Sequence, residues 1–529
     1  MQRVRNGPIM RKVFVGDGLA RVWFVQTRLG VTFRGKFALW TWPEEPRALR
    51  RRGHDFLKGD CLMGAAVTRR SLLSRASGVA GAVAAIAGGI APNLAGVAQA
   101  GVSALGKVSG KFQVVTMVDW HPEHNAYLKK TITEWAENNG IGSQLDLSDV
   151  AGFLGSSDIY QKLQAQKAAN QPVDIIMRDL SARKLNFFDL TRDVTNNVKA
   201  MEIKYGAVNT GARASHLVEG KWIGVPYYDR SGNYWVREDK FGPAGFSIEK
   251  GSFDTWDSLR EACLAVSRPS ENFYGWGMTT NRSGDGESLV QTVMQQFGGA
   301  LADETGEKVT LYSPETIDGM QWLADCYLDR KYQDMVPPGV NAWNDLSNNE
   351  AYLAGVIGFT SNAGTIFAKA KYDGNPVGDV TMLVPVPMGP LGLRLQGSGL
   401  HYHYYMKGSQ NYEAAASLSE FLLSEQQQTA ILNISFGYVV PAWAKYWDHP
   451  DVTRNRIAMA FKKVAFNEPP FQGLAWRGPL SEASEAVNDS NVMTDMMGEI
   501  LGGKRVDLAV RDAHVRSVQI YKDFGKKGE

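Results

Sequence analysis

Cysteine is nearly missing from this 529-residue chain: there are three, too few for a disulfide framework to carry the fold. Long hydrophobic runs are missing as well. A membrane-spanning helix needs about 20 strongly apolar residues, and nothing after residue 101 approaches that. Beyond the same point there is no internal repeat and no low-complexity tract, which excludes solenoids and arrays. The patterns G-x-S-x-G, H-E-x-x-H and the P-loop are also absent there, so the common signatures of serine hydrolysis, zinc proteolysis and nucleotide binding are not on offer.

Positive charge is scarce where it counts. The formal net charge of +2 is uneven: residues 1–62 carry 13 basic and 5 acidic side chains, and residues 63–100 carry 3 basic and none acidic. That leaves 41 basic and 50 acidic residues from Gly101 onward, a mildly acidic body that argues against a nucleic-acid partner.

The stretch VTRRSLLSRASGVAGAVAAIAGGIAPNLAGVAQA (67–100) has the layout of an export signal: Arg69, Arg70 and Arg75, then an apolar or small run from Ser77 to Ile90, then Ala98-Gln99-Ala100 as a cleavage pattern. The pair Arg69-Arg70 resembles the twin-arginine signal, which carries folded proteins across the bacterial inner membrane. A membrane anchor is the other reading, but the run is Ala/Gly-rich and holds Pro92 and Asn93. Met63 stands six residues before Arg69, where a start would be expected. Residues 1–62, with no helical or strand period, read as an upstream extension outside the mature protein, and 63–100 as the signal peptide. No cysteine follows the cleavage pattern, so no lipid anchor is expected, and the product is expected soluble in the periplasm.

From Gly101 to Glu529 there are 429 residues, enough for two domains. KFQVVTMVDW (111–120) reads as a buried strand and 122–139 as a helix, followed by a second helix, SDIYQKLQAQKAAN, and the apolar strand PVDIIMRDL. Strand, helix, helix, strand implies βαβ units with a parallel sheet. KWIGVPYYDRSGNYWVRED (221–239) is extended and broken by Pro226; helices are expected at 255–267, 286–298 and 313–330, with Cys263 and Cys326 on two of them as buried thiols or, less favoured, a disulfide. AGVIGFT and TMLVPVP read as strands, and GSGLHYHYYMKGS (397–409) as a strand leading to Asn411, a cap for helix 412–424. From 441 onward the chain reads as mostly helical, with loops near Pro469, Pro470 and Pro479.

Four stretches in order resemble the bacterial extracellular solute-binding proteins of ABC importers, in particular the carbohydrate-binding, maltodextrin-type group: SSDIYQKLQAQKAANQPVDIIMRDL, KWIGVPYYDRSGNYWV, QQFGGALADETGEKVTLYSPETIDGMQWLADCY and GSGLHYHYYMKGSQNYEAAASLSEFLLSEQQQ. The resemblance implies an α/β, type II periplasmic-binding-protein-like fold, each lobe a mostly parallel sheet flanked by helices. Lobe one would take 111–224 plus 398–438, and lobe two 225–397 plus 439–529. It implies a monomer that closes on a sugar and docks on membrane permease subunits, with no cofactor.

A sugar site combines aromatic faces with polar side chains. Trp120 and His121 follow the first strand, where a cleft loop belongs. Asp179 falls where the family often places a sugar-binding polar group, although capping is an equal reading. Tyr228 lies in the hinge stretch beside Tyr227. Asp285 and Glu287 match the second-lobe ligand loop but also suit a helix N-terminus. Trp343 stands ahead of a helix. Asn362 and Gly364 match the place where relatives present a stacking Trp or backbone amides, and no aromatic follows here until Phe367. His401 shares a strand face with His403; a metal there lacks further ligands at usable spacing. Trp476 corresponds loosely to a late stacking aromatic. Two other functions stay open: a receptor for another solute (polyol, amine or anion), and a secreted glycoside hydrolase. Asp285 and Glu287 lie only two positions apart, poorly placed to flank a glycosidic bond.

Overall fold

The computed structural model describes residues 105–119, 121–151, 157–395, 399–466 and 473–529, together with short strands between residues 9 and 31. It divides into two compact units, Met1–Leu94 and Ala95–Glu529. In the first, Ile9–Val15 pairs antiparallel with Gly18–Phe24, and Gln26–Thr27 with Gly30–Val31. This departs from the absence of any strand period in 1–62: IMRKVFV and GLARVWF carry the β-branched and aromatic residues that strands favour. The twin-arginine segment, with Arg69 and Arg70, lies outside the described residues, as do Pro469 and Pro470.

The second unit opens with β1 (Phe112–Val118), α1 (Pro122–Asn138), β2 (Leu145–Ala151), α2 (Ser157–Ala168) and β3 (Ile175–Arg178). The reading strand, helix, helix, strand misses β2, because LDLSDVA alternates only over its first residues. β1 pairs parallel with both β2 and β3. After β3, Ser181 caps the short helix α3 (Ala182–Phe187), its hydroxyl accepting from the Lys184 amide.

The chain then changes lobe. β4 (Val225–Arg230) lies in the first sheet and β5 (Gly232–Arg237) in the second, so the crossing is at Ser231. Lobe two continues through α4 (Trp256–Val266), β6 (Tyr274–Trp276), α5 (Gly284–Gln296), α6 (Pro314–Leu328), β7 (Ile357–Ala363), α7 (Thr365–Tyr372) and β8 (Thr381–Val384). The return brings β9 (His401–Tyr405), α8 (Tyr412–Leu422) and β10 (Val439–Pro441) to the first sheet. Helices α9 (Glu482–Asp489), α10 (Val492–Leu501) and α11 (Val506–Asp523) go back to lobe two, sharing one core with α5 and α6.

The first sheet has the order β10-β4-β9-β3-β1-β2 and the second β6-β7-β5-β8. Parallel pairing is confined to each lobe's own βα units (β1 with β2 and β3, β6 with β7), while the crossing strands run antiparallel to their neighbours. The sheets are therefore mixed rather than mostly parallel, because a strand arriving from the other lobe enters without a helix to reverse it. β4 and β10 also move the lobe limits read from the sequence: 225–230 and 439–441 belong with the first sheet.

Each lobe has its own main core, and a third cluster joins Leu432 and Val440 to Trp235, Ile357 and Ile366 of lobe two. In lobe one, Phe112, Ile132, Ile175 and Val225 are fully enclosed; in lobe two, Leu259, Val290, Leu323 and Met497 are, each such side chain contributing about 1.5–3 kcal/mol. Cys263 and Cys326 are buried on α4 and α6 as free thiols, and burial pushes the Cys326 thiol up to about 12. Asn411 precedes α8 without capping it; its side chain accepts from Ser109 N–H at 2.8 Å and donates to Lys111 O at 2.9 Å. Among the described residues no helix is long and apolar enough to cross a membrane.

The crossing is tight. Gly364 N–H donates to Ser231 O at 2.6 Å, and Ser231 N–H to Tyr438 O at 2.8 Å. A Cβ on Gly364 would lie 2.8 Å from the Ser231 hydroxyl, and one on Gly232 (φ +144°) 2.6 Å from Asn362 O. Both positions demand glycine.

Candidate functional site

The first wall forms where β1, β3 and β4 end. Arg230, last residue of β4, donates from Nη2 to Asp179 Oδ2 at 2.7 Å and from Nε to Gly399 O at 3.0 Å. Burial opposes its charge, but Asp179, with Tyr438 and Asp119, lifts its pKa above the ordinary value. Tyr438 donates its hydroxyl to Asp119. Beside them, Arg178 Nε and Asp179 Oδ1 lie 3.9 Å apart, and neither atom has a hydrogen-bond partner.

Behind this wall lies an aromatic layer. Tyr228 stacks on His401 with ring centroids 4.5 Å apart and meets His124 edge-on at 5.5 Å. A void of about 10 Å³ separates them from Asp119 and Met177, room for one water at most. Burial lowers the His401 pKa, with Arg230 adding to it, and holds His124 at about 4. Both rings are neutral at physiological pH.

The second wall belongs to lobe two. Ser283 and Asp345 tie down the start of α5: Gly286 N–H donates to Ser283 Oγ at 3.0 Å and Asp285 N–H to Asp345 Oδ1 at 2.9 Å. Asp285 Oδ2 accepts from Asn348 at 2.8 Å and from Asn362 at 3.1 Å. Burial, then the Asp345 charge, raises the Asp285 carboxyl to about 7. The lobes touch at the rim, where Ser181 donates to Glu485 and Lys184 pairs with Asp489.

A family model described as bacterial extracellular solute-binding protein matches residues 145–460, more than half of the chain. The chain belongs to that family. A probable ABC transporter-binding protein of Deinococcus radiodurans is 23% identical over 275 residues, which make up 51% of this chain and 62% of that relative, a little under two thirds of its length. Solved structures share the two-lobed, type II fold. The maltose-bound MalE3 protein of T. maritima has a TM-score of 0.63 at 20% identity, covering 78% of this chain and 98% of that one. A Thermotoga lettingae solute-binding protein bound to α-D-tagatose gives 0.65 at 15%, over 78% and 100%. An Agrobacterium radiobacter counterpart with ribitol gives 0.62 at 17%, over 78% and 99%.

In this solute-binding protein the residues singled out from the sequence separate into three groups. Asp179, Asp285 and Asn362 stand on the two walls with open or shared polar atoms. Tyr228 and His401 support the floor from behind, 3% and 2% exposed, and Gly364 is consumed by the crossing. Glu287 departs from the ligand reading: its carboxylate accepts from Thr494 N–H at 3.0 Å and Thr494 Oγ1 at 2.6 Å, and from Gln291 at 3.2 Å. Two residues along the helix, just over half a turn, rotate it away from Asp285 into the lobe-two core, where it fastens α10 to α5. His121 caps α1, Nδ1 accepting from His124 N–H at 3.2 Å. Trp343 is half-buried against the lobe-two core and against the cluster that joins Val440 to β5 and β7, and Trp476 lies under Arg477 after the turn Gly473–Ala475. Trp120 lies outside the described residues. Among the described residues no three His, Cys, Asp or Glu side chains are arranged to hold a metal ion.

Nothing in the sequence marks Tyr438 or Asn348, and Arg178 and Arg230 stand outside the ligand residues singled out from it, as cations that keep an anionic solute open. Arg230 stood in the quoted Tyr-Tyr-Asp-Arg run, but its partner Asp179 is 51 positions away.

Proposed function

We propose that this protein is the substrate-binding component of an ABC importer, that it takes a neutral sugar or small polyol between the two walls, and that it delivers it from the periplasm to membrane permease subunits by hinge closure, as a monomer without a cofactor. One observation carries the reading. Arg178 Nε and Asp179 Oδ1 lie 3.9 Å apart, both shielded from solvent and without a hydrogen-bond partner, a donor and an acceptor that a single hydroxyl group would satisfy in both directions once the lobes part to admit it. Hydrogen bonds of this kind, to charged partners, contribute about 1.5–3 kcal/mol each. Both guanidinium groups at the floor already face Asp179, so an anion finds its charge answered there. The opposite wall offers the carboxylate and amides of Asp285, Asn348 and Asn362.

The relatives support the same class: one is a probable ABC transporter-binding protein, and maltose, tagatose and ribitol are the ligands of three structures of this fold. Closure follows if the ligand bonds both walls only in the closed form, since a ligand shifts an equilibrium by its differential affinity. Export to the periplasm rests on the Arg69-Arg70 segment.

Thermal unfolding of the purified protein against mono-, di- and oligosaccharides, polyols, amines and anions tests the reading. A single class of neutral polyhydroxy compound should raise the melting temperature by mass action, and Asp179→Ala should abolish the shift. A response to amines or anions alone overturns the ligand class, and conversion of a bound oligosaccharide to product overturns the receptor itself.

A further inference from the structure

His121 sits where three parts of the molecule meet. It is the last residue before α1 of lobe one, and its ring is 2% exposed. Tyr372, the last residue of α7 in lobe two, packs edge-on against it with centroids 4.8 Å apart. Tyr438, next to the crossing, lies parallel to it at 6.3 Å. Phe436 backs Tyr372 at 5.2 Å.

The two ring nitrogens are not equivalent. Nδ1 is the acceptor that caps α1, so it carries no proton, and the neutral ring keeps its proton on Nε2. That atom is buried with no hydrogen-bond partner, in an aromatic pocket. A second proton can enter only at Nδ1, where it removes the cap acceptor. The nearest group able to receive it is Glu123 Oε2, 3.4 Å from Nδ1 and on the lobe-one side.

We propose that His121 is a pH-gated seam between the lobes: neutral, it caps α1 and packs against Tyr372 so that the cleft closes; protonated, it gives up the cap, turns to Glu123 and lets lobe two swing away. The inference rests on the closing-cleft reading above and adds regulation to it.

The charges around the ring fit this division. Burial lowers the His121 pKa; Glu123 and Asp119, both of lobe one, raise it, and Lys369 of α7 lowers it again. His124 is the remaining titratable neighbour on α1 and lies 6.4 Å away, edge-on; Tyr372 and Tyr438 are neutral throughout the range concerned. Closure thus brings a cation and an aromatic edge against His121, while the carboxylates that welcome its proton stay on its own lobe. The closed form holds the less basic histidine, so closure weakens as pH falls below the ordinary histidine range.

Solution scattering of the full chain from pH 8 to pH 4.5, with and without maltose as the probe sugar, reads compactness directly, and circular dichroism of the same samples reads folding. The wild type should be more compact at pH 8 than at pH 5, with helix content unchanged across that step. His121→Asn keeps a capping side chain but cannot titrate, and should lose the pH step. Tyr372→Ala should be expanded already at pH 8. A wild-type radius that stays constant, an expansion that coincides with loss of helix signal, or an unchanged step in His121→Asn overturns the gate. Failure of the sugar reading looks different: maltose changes nothing at any pH, while the step with pH persists.

Discussion

Lobe one and its crossing strands enclose five of the chain's eight histidines, His121, His124, His216, His401 and His403, beside the bonded carboxylates Asp174 and Asp229, whereas the described residues of lobe two enclose no histidine and place the acids Asp285 and Glu287 at the start of α5. The two choices solve one problem, a polar group out of water, by different means. A neutral imidazole tolerates an unmatched nitrogen when its faces are packed on rings, as His401 is on Tyr228 and His403 on Tyr227, while His216, stacked on Tyr402 at 3.3 Å, has both nitrogens bonded. A carboxylate cannot go unmatched, and each of these two collects donors: two amides for Asp285, and Thr494 twice with Gln291 for Glu287. Stacked histidines fill a layer; bonded carboxylates fasten elements together. Both lobes use acids as ties, Asp174 in the one and Glu287 in the other, and lobe one alone, among the described residues, also uses histidines as core.

The comparison has a pH signature of opposite sign in each lobe. Burial holds His124 at about 4 and His216 and His403 at about 3. Their folded-state values lie below the ordinary 6.5, so the unfolded chain binds more protons between those limits. Stability is complete above pH 6.5 and falls as pH drops toward the folded values, by about 2–3 kcal/mol per histidine at pH 4.5. Hydrogen exchange at pH 7 and pH 4.5 should show β3, β4 and β9 losing protection before β6 and β7. Equal loss in both sheets would erase the distinction.

Glu287→Ala should cost about 2–3 kcal/mol by stranding the buried Thr494 donors, measured by urea unfolding, while ligand affinity stays unchanged. Asp285→Asn tests the other acid of the same helix. The folded carboxyl titrates near 7, so stability is fully present below the ordinary 3.8 and is lost as pH rises toward 7. The amide removes that loss, and the variant should be more stable than wild type at pH 8 by about 1–2 kcal/mol, the gain shrinking toward pH 4; its ligand affinity should fall. Lys184→Ala, at the rim, should change stability by less than about 1 kcal/mol and appear chiefly as faster ligand release.

Much of the frame was readable from residue patterns. QVVTMV and IIMR are apolar because helices cover both faces of their sheet, and α1, α5 and α6 announce themselves by period and by capping serines or proline. The alternation HYHYY predicts opposite faces for histidines and tyrosines, and the rings separate that way: His401 and His403 meet Tyr228 and Tyr227, while Tyr402 and Tyr404 meet His216. The site was legible only in part. Asp179, Asp285 and Asn362 could be picked as candidates because they respectively follow a strand, open a helix and stand near a strand's end. Arg230 with Asp179, Tyr438 with Asp119 and Ser181 with Glu485 could not, because each pairing joins elements 51, 319 and 304 positions apart and no local period records such a meeting. Glu287 shows the converse limit: two residues along a helix turn a side chain by some 200°, enough to take it from cleft to core.

The Gly364 amide that donates to Ser231 anchors the start of α7 to the crossing itself. In mechanical terms the crossing is an axle, and α7 is a collar fitted to it. Points on a turning body move in proportion to their distance from the axle, so in the proposed closure Asn362, paired beside the crossing, would move little. A solute reaching from Asp179 on one wall to Asp285 on the other is the load on which such a joint would turn, its second wall gained as the lobes come together. The contacts of Ser181 with Glu485 and of Lys184 with Asp489 would then be its latch.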